Sequence, residues 1–211
     1  MGTKVTEAKF IYQEISKLYP EAKCELNYRK DYELIIAIML SAQTTDISVN
    51  KVTAILFEKY HSVEDFANAS LEALQNDIKR IGLFRNKSKN LKRLAEILVK
   101  DYNSIVPNTQ VDLEKLPGVG RKTANVFLAE FYHVPRIAVD THVSRVSIRL
   151  GFANEKDTPN KIEEKLKDIF DESIWIDLHH KFIFFGRYFC KAKKPNCINC
   201  PIIKYCKSPV L

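Results

Sequence analysis

The sequence predicts an all-α fold, and three observations carry that expectation. Apolar residues recur three and four positions apart along most of the 211-residue chain, and helix-capping residues stand at the head of several of these stripes. The one β-like run, Arg136 to Val139, is too short to build a sheet.

In chain order, Thr45 and Asp46 precede a stripe of Val49, Val52, Leu56 and Tyr60. Ser70 reads as an N-cap for Leu71, Leu74, Ile78 and Ile81, with Gly82 as the stop. A basic loop around Arg85 to Lys89 is expected next, before the stripe Leu91, Leu94, Ala95 and Leu98. Val111 to Leu116 forms a short apolar helix that runs into Pro117, Gly118 and Gly120, and a helix-compatible stretch follows through Glu130. Asp140 stands where an apolar extended run meets a new stripe beginning at Val143 and Val146. Thr158-Pro159 opens a helix with Ile162, Leu166, Ile169 and Phe170 on one side, since proline is welcome in a first turn. Trp175 to Phe189 is aromatic but carries Asp177, His179, His180, Lys181 and Arg187. Its residues Ile174, Leu178, Phe182 and Phe185 share one helical face, so it reads as a core helix rather than a membrane span.

The chain is long enough to bury a sizeable core without staples, and it has no internal repeat or long linker, so two closely joined helical units are expected. Met1 to Glu14 holds no apolar run of signal-peptide length, and no segment reaches 18 uninterrupted apolar residues; an intracellular protein is expected. Cys24, far from the other cysteines, reads as a small hydrophobe in or near the core.

The other four cysteines crowd the C-terminal end as Cys190-x6-Cys197-x2-Cys200-x5-Cys206. Four thiolates joined by short loops can close around one tetrahedral ion or one iron-sulfur cube. Zinc ribbons usually offer two close pairs, whereas a single C-x-x-C with longer flanking spacers suits a larger object. Spacing by itself leaves both open.

Charge is concentrated in the same region. After Asp177 there is no acidic residue, while Lys181, Arg187, Lys191, Lys193, Lys194, Lys204 and Lys207 account for the whole net charge of +7. Such an end suits a polyanion, although alone it would also serve as a solvated tail.

Leu116-Pro117-Gly118-Val119-Gly120-Arg121-Lys122-Thr123-Ala124 demands a sharp turn between two helices. Gly118 and Gly120 let backbone approach a ligand, and the unpaired N–H groups of the second helix can hold a phosphate. The bland alternative is a mere connection. Arg121 and Lys122 sit where the helix dipole disfavours cations, by some tenths to about 1 kcal/mol. Arg121 could meet phosphate, and the same positive field, with partial burial, would favour a neutral, nucleophilic amine on Lys122. Read alone, Lys122 is as well explained as an exposed basic residue, and Asp140 and His142 as helix-start residues. A carboxylate near a primary amine is nonetheless the pair that attacks an anomeric carbon.

These segments, together with Ser41-Ala42-Gln43-Thr44-Thr45-Asp46, Val139-Asp140-Thr141-His142 and the cysteine spacing, resemble the endonuclease III family of helix-hairpin-helix DNA glycosylase/AP lyases. The resemblance spans essentially the whole chain. It implies a two-lobed helix-hairpin-helix glycosylase fold, with residues 24–133 as a six-helix barrel and 1–23 with 134–211 as a discontinuous cluster lobe. It implies Lys122 as Schiff-base nucleophile, Asp140 as catalytic aspartate, and a [4Fe-4S] cluster on Cys190, Cys197, Cys200 and Cys206. Gln43 and Leu83 would enter the DNA stack, although the residues themselves would place Leu83 in a core. Gly118, Gly120, Arg121, Lys191, Lys193 and Lys194 would hold DNA.

The implied activity is removal of oxidised pyrimidines from double-stranded DNA and β-elimination at the abasic site, by a cytoplasmic, nucleoid-associated monomer with no membrane contact. Two alternatives remain at this point. An adenine-excising relative typically lacks a lysine at the position of Lys122 and carries a further C-terminal domain, whereas this chain stops soon after Cys206. A non-catalytic helix-hairpin-helix DNA-binding protein would bind duplex without nicking it.

Overall fold

The computed structural model describes residues 2–209, and every regular element among them is helical. The helices are α1 (Gly2–Leu18), α2 (Asp31–Ser41), α3 (Asp46–Lys59), α4 (Val63–Asn68), α5 (Leu71–Asp77), α6 (Phe84–Asp101), α7 (Gln110–Leu113), α8 (Arg121–Tyr132), α9 (Thr141–Arg149), α10 (Pro159–Ile169) and α11 (Trp175–Phe184). None of them is long and apolar enough to cross a membrane. Contacts divide the chain into two compact units, Glu25–Tyr132 and Met1–Cys24 with His133–Leu211.

In the unit Glu25–Tyr132, α2 is the inner helix: every residue from Tyr32 to Leu40 is buried. A helix that is apolar all round has no stripe to read, which is why periodicity does not reveal it. Its one buried charge, Glu33, accepts the Arg29 backbone N–H at 2.6 Å and the Arg29 guanidinium at 3.2 Å. Thr45, Ser62, Ser70 and Thr109 cap the helices that follow them, each bond contributing about 1 kcal/mol. α5 ends at Asp77, short of its apolar pattern, and Ile78 and Ile81 are buried from the turn beyond it. The expected basic loop at Arg85 to Lys89 is helical instead, forming the first turns of α6. Its stripe of Leu91, Leu94, Ala95 and Leu98 is fully buried and draws the preceding residues into the same helix.

The discontinuous unit closes α1 onto the C-terminal helices. Ile11 and Ile15 join Val143, Val146, Ile162, Leu166, Leu178 and Phe182 in one core. Phe170 meets both Phe152 and Phe182 edge-on, at 5.3 and 6.0 Å. At the core's edge Tyr12 donates its hydroxyl to Asp177, which also takes Lys181 Nζ at 2.6 Å. Burial, aided by Asp177, pushes the Tyr12 phenol up to about 12. Behind α11 the backbone widens into a π-helical turn, Phe185–Phe189, that leads directly into Cys190. Cys24 is half-buried.

Candidate functional site

The hairpin is fixed by its own backbone. Val119 N–H donates to the Leu116 carbonyl at 3.0 Å and Ala124 N–H to that of Gly120 at 2.9 Å, tying the turn to the start of α8. Gly118 has φ +81°, and a Cβ on it would stand 2.8 Å from Met39 Sδ and 3.0 Å from Asn90 Nδ2. Both the dihedral and the neighbours therefore demand glycine. Gly120 is different: a Cβ there would meet nothing within 4 Å.

Arg121 and Lys122 follow in the first turn of α8, and both are exposed. The partial burial expected of Lys122 is not found, because the buried face of α8 starts only at Ala124. What remains at Lys122 is the positive field of the helix N-terminus.

Gln43 and Leu83 are both left-handed, with φ +55° and +59°. For residues with a Cβ that conformation costs roughly 1–2 kcal/mol each, so surrounding structure must hold it. Leu83 is 58% exposed, which overturns its reading as a core residue; Gln43 is exposed too. A Cβ on Gly82 would lie 3.8 Å from the Gln43 carbonyl oxygen, so these two turns approach each other.

Asp140 caps α9, its Oδ1 accepting the N–H groups of His142 and Val143, both at 2.8 Å. Capping occupies that one oxygen, and the half-buried carboxylate keeps Oδ2 outside the cap bonds. The start of α9 packs tightly on the π-helical turn, since a Cβ on Gly186 would fall 2.9 Å from His142 Cβ. Arg145 reinforces the contact by donating to the Gly186 carbonyl at 2.6 Å and the Cys190 carbonyl at 3.1 Å.

Cys190, Cys197, Cys200 and Cys206 are half-buried thiols lining one pocket, walled by Leu150, Phe185, Phe189 and Ile202. Burial pushes the Cys200 thiol up, and the neighbouring Cys190, Cys206 and Cys197 add to it. Among the described residues, however, no three His, Cys, Asp or Glu gather closely enough to hold a single metal ion. Arg149 crosses the rim, donating to Cys190 Sγ at 3.2 Å and to the Lys191 carbonyl at 2.9 Å. Lys191, Lys193 and Lys194 lie exposed between the first two cysteines.

The structure thus gathers the four cysteines round one cavity, Gly118 to Lys122 in one turn, and the backbones at Gln43 and Leu83. Lys122 and Asp140 belong to different units. Sequence reasoning missed Arg145 and Arg149, whose spacing of four along α9 was the available signal, and Lys87, buried among backbone carbonyls.

An all-α chain with a glycine hairpin that leads into a cationic helix start defines a helix-hairpin-helix protein. Residues 36–172 match the family model described as HhH-GPD superfamily base excision DNA repair protein. Endonuclease III of Bacillus subtilis is 47% identical over 201 residues, covering 95% of this chain and 92% of the relative. Two solved structures, a trapped endonuclease III–DNA covalent intermediate in an estranged-adenine complex and a non-covalent endonuclease III–DNA complex, each superpose with a TM-score of 0.94. Each is 48% identical and covers 96% of this chain and 95% of its own. The chain belongs to the endonuclease III family.

Proposed function

We propose that this base excision repair glycosylase removes oxidised pyrimidines from double-stranded DNA and then cuts the strand as an AP lyase. Lys122 is the nucleophile in this reading and Asp140 its acid-base partner. The observation that carries it is the placing of Lys122: an exposed amine in the positive field at the start of α8, two residues past a glycine with open space before it. Binding of DNA by the two endonuclease III structures supports the same partner here.

The hairpin N–H groups and Arg121 would take a phosphate, Gln43 and Leu83 would fill the space left by an extruded base, and Lys191, Lys193 and Lys194 would hold flanking backbone. The Lys122 amine, its proton taken by a general base, attacks C1′ of the deoxyribose. A C1′–N bond forms to the enzyme as the bond to the base breaks, and the base leaves with a proton. The C1′–O4′ bond then opens as O4′ takes up a proton, leaving an iminium at C1′ that acidifies C2′–H; removal of that proton expels the 3′ phosphate, and water then releases Lys122. The barrel around the hairpin corresponds to Glu25–Tyr132 and the cluster lobe to the remainder, working as a monomer on nucleoid DNA.

Four thiols lining one pocket are the donor set that a [4Fe-4S] cluster takes. Cys190, Cys197, Cys200 and Cys206 would hold it, and bound there it would supply a cross-link that shapes the basic segment. No step of the base excision needs its redox chemistry.

Borohydride trapping on abasic duplex tests the nucleophile. Wild-type protein should give a reduced covalent adduct and Lys122→Ala none; an adduct with the alanine variant would remove Lys122 from the mechanism. Asp140→Asn should lower turnover by roughly a hundredfold or more while duplex affinity stays near wild type. Equal losses of rate and affinity would leave Asp140 as a helix cap only.

A further inference from the structure

We propose that Lys87 is a positioning residue that fastens the Gln43 and Leu83 turns to each other, and so sets how far the duplex is opened around a damaged base. This rests on the reading of Gln43 and Leu83 as the two residues that enter the DNA stack. Lys87 is only 5% exposed, with no carboxylate among its bonded partners. Its ammonium donates to the Leu40 carbonyl at 2.8 Å, the Ala42 carbonyl at 2.6 Å and Thr44 Oγ1 at 3.2 Å. Two of those three acceptors flank Gln43, and the carbonyls end α2, where the helix dipole favours a cation. Burial alone pulls this amine below its usual value, a cost that the position tolerates.

The same residue grips the other turn through its backbone. Lys87 N–H donates to the Leu83 carbonyl at 3.1 Å, and Leu83 heads α6 without any side-chain cap. One side chain therefore holds both neighbours of one left-handed residue while its own amide holds the other left-handed residue. A merely stabilising lysine would have no need to bridge the two left-handed residues assigned to the DNA stack.

The test uses the full chain with its cysteines intact. Lys87→Met keeps the stem and removes the three side-chain bonds; Thr44→Ala removes only one and leaves the buried cation paired. Single-turnover excision from a thymine-glycol duplex should fall about tenfold or more in Lys87→Met, while cleavage of a preformed abasic duplex, which has no base to extrude, should stay within about threefold. The fluorescence rise of a 2-aminopurine placed opposite the lesion should shrink in step with excision. Thr44→Ala should show the same pattern at roughly threefold in excision. Equal loss on both substrates, or excision unchanged, would overturn the proposal, and if Lys87→Met does not fold then Thr44→Ala decides by the same criteria. Gln43→Ala and Leu83→Ala report on the parent reading separately: should both excise at the wild-type rate, those two assignments fall and the brace falls with them.

Discussion

The hairpin at Leu116–Gly120 and the segment Cys190–Cys206 both offer backbone and positive charge to a polyanion, but they get their shapes from different sources. The hairpin is held by the protein's own packing: a left-handed Gly118 wedged against Met39 of α2 and Asn90 of α6, and hydrogen bonds that close it onto α8. The cysteine segment has one short 3₁₀ turn, Ile203–Tyr205, a few tight turns, and carbonyls pinned from outside by Arg145 and Arg149 around a cavity. One binding element is preorganised by the protein alone, whereas in the proposed reading the other is shaped by a group bound to its four sulfurs. In that reading, preorganisation of the first kind survives metal loss and that of the second does not.

Metal removal is the most severe test of that contrast. Stripping the protein of iron, or replacing Cys200 with serine, should open residues 190–206 to limited proteolysis and weaken duplex binding by about tenfold or more, since metal binding and local folding are the same free energy. The hairpin should remain protected. Protein that is purified with one zinc and no broad brown absorption would replace the cluster with a single ion, and equal proteolysis at both elements would erase the distinction between them.

The two glycines of the hairpin separate shape from access. Gly118→Ala meets both a positive φ and a 2.8 Å contact, and overpacking of this kind costs about 1–3 kcal/mol in a urea melt. Gly120→Ala meets nothing in the protein, so the melt should move by less than about 0.5 kcal/mol, while duplex affinity falls roughly threefold to tenfold if backbone there approaches phosphate. A Gly120→Ala protein with wild-type affinity would take the hairpin out of the interface.

How much of this could be read from sequence depended on whether a residue's role is local. Caps at Thr45, Ser70, Asp140 and Thr158 and the stripes behind them are local patterns, and the structure has each cap, although the stripe behind Ser70 outruns its helix. The cysteine spacing and the hairpin glycines are local too. α2 escaped because burial on all sides erases periodicity, and α6 was entered late because Arg85, Lys87 and Lys89 look like solvated loop residues. Lys87 shows the reason most plainly: its partners are carbonyls more than 40 residues away, at Leu40 and Ala42, and no spacing rule marks them. Leu83 misled in the opposite sense, since an apolar residue after an apolar stripe reads as core unless its left-handed backbone is seen. Lys122 was expected to be partly buried, but a helix's first turn can be exposed when its apolar face begins one residue group later.

The smallest effects belong to the exposed lysines, and they bear on whether the cysteine segment reads phosphate at all. Lys191, Lys193 and Lys194 lie outside the cavity, so replacing each by glutamine should leave metal content and melting unchanged. Each charge that neutralises a phosphate releases a counterion, and its loss should lower the slope of log affinity against log salt by about 0.9 and weaken binding modestly at low salt. The loss should be the same on damaged and undamaged duplex, because phosphate contacts carry no base information. Lys194 sharpens the test: its φ of +53° suits a backbone held by its flanking cysteines, so Lys194→Gly should keep the conformation while removing the charge. If Lys194→Gly binds with an unchanged salt slope, the side chain is not on the DNA, and the positive segment serves solubility while the hairpin alone holds the backbone.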